Sequence, residues 1–265
     1  MNISGNLLKM RTVLDVPVRY TLRLNDQNIE INNWLGKRIR LEYQNEINCI
    51  KCGRVTKKSF AQGFCYPCFI SAPETEECVL RPELCRAHEG IARDLSYAEN
   101  NCLIDHFVYL SLTNTIKVGV TRMTQVPTRW IDQGAVKAIK LAKTPNRYAA
   151  GLIEVNLKKH LADKTNWRNM LTGKITDSRS LYEVREFTFS VLQNDLKKYF
   201  LEKSEITTIE YPMLEHPAKV TALNFDKIPN IEGTLTGIKG QYLILNNSQV
   251  LNIRKFGGYK VLLTE

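Results

Sequence analysis

Four cysteines set out the clearest chemistry in the chain. Cys49-x2-Cys52 and Cys65-x2-Cys68 are two pairs of thiols with twelve residues between them. One such pair wraps one edge of a tetrahedral ion and a second closes the opposite edge, with each thiolate about 2.3 Å from Zn²⁺. Four thiolates leave no open coordination position, so the spacing predicts a structural zinc site rather than a catalytic one. Redox dithiols rarely come as facing pairs, and Gly53 and Gly63 supply the permissive backbone that metal knuckles use.

Three further cysteines, Cys78, Cys85 and Cys102, complete the seven in the sequence, and His88 stands three residues after Cys85. Together they make a Cys₃His set for a second zinc, with Cys85 and His88 as one knuckle. His106, four residues after Cys102, is placed to stand in for one of these ligands. With both sites filled, residues 48–105 form one zinc-binding module that melts on chelation. Lys9, Arg11, Asp15 and Arg19 interrupt any signal-peptide run, and no apolar stretch is long enough to span a membrane. These features point to the cytoplasm, where cysteines ligate metal more readily than they pair as disulfides.

Between Phe107 and Met170 the patterning specifies a compact series of elements. Val108, Leu110 and Leu112 alternate, as do Ile116, Val118 and Val120, and Thr113-Asn114-Thr115 turns one strand into the other. Pro127 and Thr128 open a short helix carrying Arg129, which Gly134 ends. Ala135 to Ala142 reads as a third strand. Thr144 as N-cap and Pro145 at the first helical position start a helix with Ala150, Ile153, Leu157 and Leu161 as its buried stripe.

This strand-strand-helix-strand-helix order resembles the GIY-YIG endonuclease core, over roughly a quarter of the chain. Val108-Tyr109 falls at the first tyrosine motif and Lys117-Val118-Gly119 at the second, ahead of Thr121. Arg129 matches the arginine of the first helix, and Leu152-Ile153-Glu154 followed by Asn156, Leu157, Lys158 and His160 is similar to the metal-binding helix of the excision-repair nucleases. The whole chain also resembles an uncharacterised bacterial family whose members carry this core. The resemblance implies phosphodiester hydrolysis with one divalent metal. Glu154 would hold Mg²⁺, Arg129 would offset charge building on the phosphate, and Tyr109 would orient or deprotonate water. Lys117, Arg122, Arg147, Lys158 and Arg168 are the expected nucleic-acid contacts. Asn166 by spacing, or Asn169 by local context, would close the site. The first motif lacks its glycine and isoleucine, the second its tyrosine, and Gln133 stands where relatives carry a histidine. Those departures remove candidates for proton transfer.

Net charge is +10 over 265 residues, which favours a polyanionic partner. Between Gly134 and Lys174, nine basic residues stand against only Glu154 and Asp163, the footprint of phosphate neutralisation. Outside this core the chain reads as β-rich at 1–47 and 218–265, which are expected to pair as barrel-like segments that bring the termini together. A long helix over 177–203 with Asp177 or Ser178 as N-cap, and a connector with Pro212 and Pro217, occupy 177–217.

The sequence thus specifies an α+β protein: an N-terminal zinc-binding module, a GIY-YIG-like ββαβα core over 106–176, and small β-barrel-like terminal segments. Three functions follow from it. One is a zinc-containing nucleic-acid-binding protein with metal-dependent endonuclease activity. The others are a DNA- or RNA-binding module without turnover, and a zinc-dependent protein-interaction scaffold.

Overall fold

A computed structural model describes residues 2–162 and 164–265; Met1, and Asp163 of the charge count above, lie outside the described residues. The chain opens with strands β1 (Asn2–Val13), β2 (Arg19–Leu24), β3 (Gln27–Glu30) and β4 (Arg38–Ile47), followed by helices α1 (Tyr66–Ser71) and α2 (Leu95–Asn101). Next come β5 (His106–Leu112), β6 (Ile116–Arg122), α3 (Thr128–Asp132), β7 (Lys137–Thr144), α4 (Arg147–Leu157), α5 (Trp167–Leu171) and α6 (Leu181–Val191). The last strands are β8 (Thr207–Thr208), β9 (Thr221–Ala222), β10 (Asn230–Lys239), β11 (Tyr242–Leu245), β12 (Gln249–Asn252) and β13 (Tyr259–Thr264). Two compact units result. No helix among the described residues is long and apolar enough to cross a membrane.

The first unit takes Met1–Ile70, Leu171–Gly173 and Ile209–Glu265. Its sheet has nine strands in the order β3-β2-β1-β13-β4-β10-β11-β12-β9. Alternation drives the pairing: Tyr20, Leu22 and Leu24 on β2, Ile39 and Leu41 on β4, and Val261 and Leu263 on β13 are all buried. Asn246 and Asn247 both adopt positive φ, which suits the tight turn from β11 to β12. The expected barrel-like segments are corrected by this topology. β13 lies between β1 and β4 and uses both of its edges, so the terminal strands merge into one open sheet. The sheet ends on short strands, β3 and β9, that do not pair with each other.

The second unit takes Ser71–Met170 and Lys174–Thr208. Its antiparallel sheet runs β6-β5-β7-β8, and β5, β6, α3, β7 and α4 follow in the expected order. All seven residues of β5 are buried. Ala150, Ile153 and Leu157 of α4 share a core cluster with Val108, Leu110 and Val118, each such side chain contributing roughly 1.5–3 kcal/mol when fully buried if large.

Two helix boundaries differ from expectation. The α4 cap is Asn146, whose Oδ1 accepts from the Ala149 amide at 2.9 Å; Thr144 instead ends β7 and donates to the Asn146 carbonyl. The long helix over 177–203 is shorter, because Ser180 and Glu183 form a reciprocal capping box that starts α6 later. Leu192 then turns extended and ends it.

Candidate functional site

In the first unit, Cys49, Cys52, Cys65 and Cys68 bring their sulfurs within 4.8 Å of one another. Short bridges, Asn48 to Val55 and Phe60 to Phe64, frame each pair, and the Gly53 amide donates to the Cys49 carbonyl at 2.9 Å. Gly63 has φ +144°, and a Cβ there would lie 2.7 Å from Ile50, so this knuckle leaves no room for a side chain. A tetrahedron with bonds of about 2.3 Å has edges of about 3.8 Å. The Cys52 and Cys65 sulfurs are 3.8 Å apart. Burial opposes ionisation of Cys49, yet bonds from the Cys65, Cys52 and Lys51 backbones bring its thiol down to about 6. The donor set therefore fits a closed, structural zinc.

In the second unit, Cys78, Cys85 and Cys102 also lie within 4.8 Å and all three are buried. Arg147, at the start of α4, donates from Nη1 to the Cys78 sulfur at 3.5 Å and from Nη2 to the Asn101 carbonyl at 3.1 Å. Bonds from Cys102 and Cys78 hold the Cys85 thiol well below its usual range. Among the described residues His88 is not a member of this cluster. Its ring stacks on Tyr148 with centroids 4.3 Å apart. The expected Cys₃His set is thus a three-cysteine set here. His106 also stands outside it, with Nδ1 2.7 Å from the Ile104 carbonyl.

The third feature is a cleft of about 190 Å³ in the second unit. Lys117 and Gly119 of β6, Arg129 of α3, Gln133 just after it, Glu154 of α4, and Lys158 line one part, and Val79, Leu80 and Pro82 another. Tyr109 lies behind this lining, fully buried, and its hydroxyl donates to Gln133 Oε1 at 3.0 Å. Both Arg129 and Glu154 act electrostatically on that phenol. Residues far apart in sequence therefore converge: Arg129 and Glu154 line one small space, and Tyr109 is packed behind it within their electrostatic reach.

Charge in the cleft is arranged by partners. Burial raises the Glu154 carboxyl above its usual range, against the pull of Lys158, whose Nζ is 3.2 Å away. Lys117, itself buried, donates to Thr165 Oγ1 at 2.6 Å. Burial also raises the Tyr109 phenol, with Arg129 opposing. A phenol moved that way is a poor general base.

Other expected contacts sit elsewhere. Arg122 bonds the Asn101 side chain, and Arg147 is buried against Cys78. Arg168 stacks on Trp167, 4.3 Å from the ring centroid. Asn166 caps α5, accepting from the Arg168 and Asn169 amides, and neither Asn166 nor Asn169 lines the cleft. Sequence reasoning missed the wall formed by Val79, Leu80 and Pro82. Its trace was Gly151, an isolated glycine inside a helical pattern: a Cβ there would lie 2.2 Å from the Glu83 nitrogen and 2.4 Å from the Pro82 carbonyl carbon. Only a bare backbone lets α4 approach that turn.

A family model described as "Protein of unknown function (DUF2797)" matches residues 36–261. No curated protein and no solved structure matches the chain.

Proposed function

The chain belongs to that family, and we propose that it is a nucleic-acid-binding protein whose GIY-YIG-like core grips a phosphodiester in the cleft and hydrolyses it with a divalent metal. The placement of Arg129 and Glu154 in one cleft, with Tyr109 buried directly behind it, carries this reading. Arg129 and Lys117 supply cations for phosphate oxygens, and Gln133 holds the Tyr109 hydroxyl in place. Glu154 fits Mg²⁺, which commonly takes one or two carboxylates and completes its shell with water and phosphate. When bound there, the ion would polarise the phosphate and lower the pKa of water. Exchanging its lysine partner for the ion would also relieve the cost of a buried carboxylate.

A second reading, binding without turnover, is favoured by one observation: Tyr109 is buried, raised in pKa and already committed to Gln133. One experiment separates the two. The purified chain is incubated with Mg²⁺ and single- and double-stranded DNA and RNA, beside Glu154→Ala and Arg129→Ala chains. Hydrolysis requires Mg²⁺-dependent cleavage that falls at least about 100-fold in Glu154→Ala. Binding alone gives salt-dependent association with no products. Neither binding nor cleavage at physiological salt rejects both readings and leaves the protein-interaction scaffold.

A further inference from the structure

The two cysteine clusters differ in one respect that bears on chemistry. The first presents four sulfurs and the second presents three. The groups nearest to completing the second set in sequence are committed elsewhere. The His88 ring lies flat on Tyr148, 18° from parallel, with Nε2 3.8 Å from Glu89. Glu76 accepts from the Arg93 amide at 3.0 Å, and Glu77 accepts from Arg81 at 2.9 Å. A cavity of about 260 Å³ is bordered by all three cysteines, and Glu76, Glu77, Arg86 and Arg93 also line it. Arg147, which contacts Cys78, does not line it.

We propose that Cys78, Cys85 and Cys102 form an open three-thiolate metal site whose fourth position takes a small exogenous thiol from this cavity. Metal sites with three protein ligands keep a position for water or substrate, whereas four-cysteine sites do not. Zn²⁺ takes thiolate sulfur readily, so an exogenous thiol is a fitting donor for the fourth position. The cavity is smaller than the 300 Å³ or so at which drug-sized pockets begin, so the ligand is small. Two glutamates offset two arginines among its lining residues, so a polyanion gains nothing by entering. The site is thereby distinct from the phosphate cleft, and the proposal does not depend on nucleic-acid binding. In the binding step the thiol loses its proton to solvent, its sulfur forms the metal bond, and a bound water leaves. Nothing is oxidised or reduced.

The test uses the full chain with Co²⁺ in place of zinc, since cobalt bands report the donor set. The chain is titrated with mercaptoethanol, and with ethylene glycol as the analogue carrying a hydroxyl in place of the thiol. A saturable band shift with the thiol, at one equivalent per chain, and none with the glycol, is the expected result. A His88→Ala chain should keep two metal ions and the same response. The proposal is overturned if the unmodified chain holds one ion only, if the thiol leaves the bands unchanged, or if the glycol shifts them equally. Loss of the second ion in His88→Ala would assign the fourth position to His88 and overturn it too.

Discussion

Gly119 and Tyr109 face each other across β5 and β6, and the space a side chain would need at Gly119 is filled by the tyrosine, whose hydroxyl oxygen would lie 2.7 Å from a Cβ there. The glycine thus sets where the phenol lies in relation to Gln133. Gly119→Ala should displace the ring and cost about 1–3 kcal/mol, the usual range for overpacking a core. Tyr109→Phe keeps the ring and removes the phenol's hydrogen bonds to Gln133 and Arg129, at a cost of about 1 kcal/mol for each. Urea unfolding of both chains checks the costs; a Gly119→Ala chain of unchanged stability would mean that the ring moves aside freely.

At Gly151 the neighbour is backbone, not a flexible side chain. Gly151→Ala should push the Pro82–Leu84 turn away from α4, at a cost of at least about 1–3 kcal/mol. That turn sits between Cys78 and Cys85, so metal retention at the three-cysteine cluster should fall as well. Zinc content at equal protein concentration measures this. An unchanged content with lowered stability would separate the helix contact from the cluster.

His106 gives the fold a pH dependence. It is 2% exposed, its Nε2 has no hydrogen-bond partner among the described residues, and burial lowers its pKa to about 4, despite the opposing bond to the Ile104 carbonyl. An unfolded histidine titrates near 6.5, so between those values the unfolded chain binds the extra proton. The contribution is present above pH 6.5 and is lost as pH falls through about 4, with an upper limit of about 3 kcal/mol. His106→Asn should flatten the stability profile in that window. A profile of unchanged slope would place the dependence on other groups.

Removing zinc from the four-cysteine cluster should release residues 49–68 while the strands around Leu41 and Val261 hold. Structural zinc contributes apparent binding energies of about 10–16 kcal/mol to small sites. The sheet core, by contrast, rests on alternating apolar side chains that need no metal. Hydrogen exchange before and after chelation checks the contrast. Exchange rising equally across β4 and β13 would mean that the sheet too depends on the ion.

The features legible in the sequence were those set by neighbours along the chain. The β5–β6 hairpin follows from alternation around a polar turn, and the paired CxxC spacing brings four sulfurs together. The ordering of strand and helix around Arg129 and Glu154 was also readable. What escaped depends on partners distant in sequence. Nothing local tells that Arg147 turns toward Cys78, or that β13 inserts between β1 and β4. The α4 cap was misplaced because Thr144 and Asn146 are both good capping residues. The longer run of β7, which carries Thr144 into the strand, decided between them. The α6 start was missed because the Ser180–Glu183 box outcompetes Asp177, which instead accepts from Arg179.

The position of β13 has a consequence for how the protein is made. During synthesis Asn2 emerges long before Thr264, yet these two residues are partners in the sheet. The second unit can settle on the nascent polypeptide once Thr208 has emerged, whereas β1 and β4 must wait, edges uncovered, for the closing segment. Deleting Tyr259–Thr264 would therefore remove an interior plank of the sheet rather than trim its margin, and the early strands would remain open to pairing with other molecules.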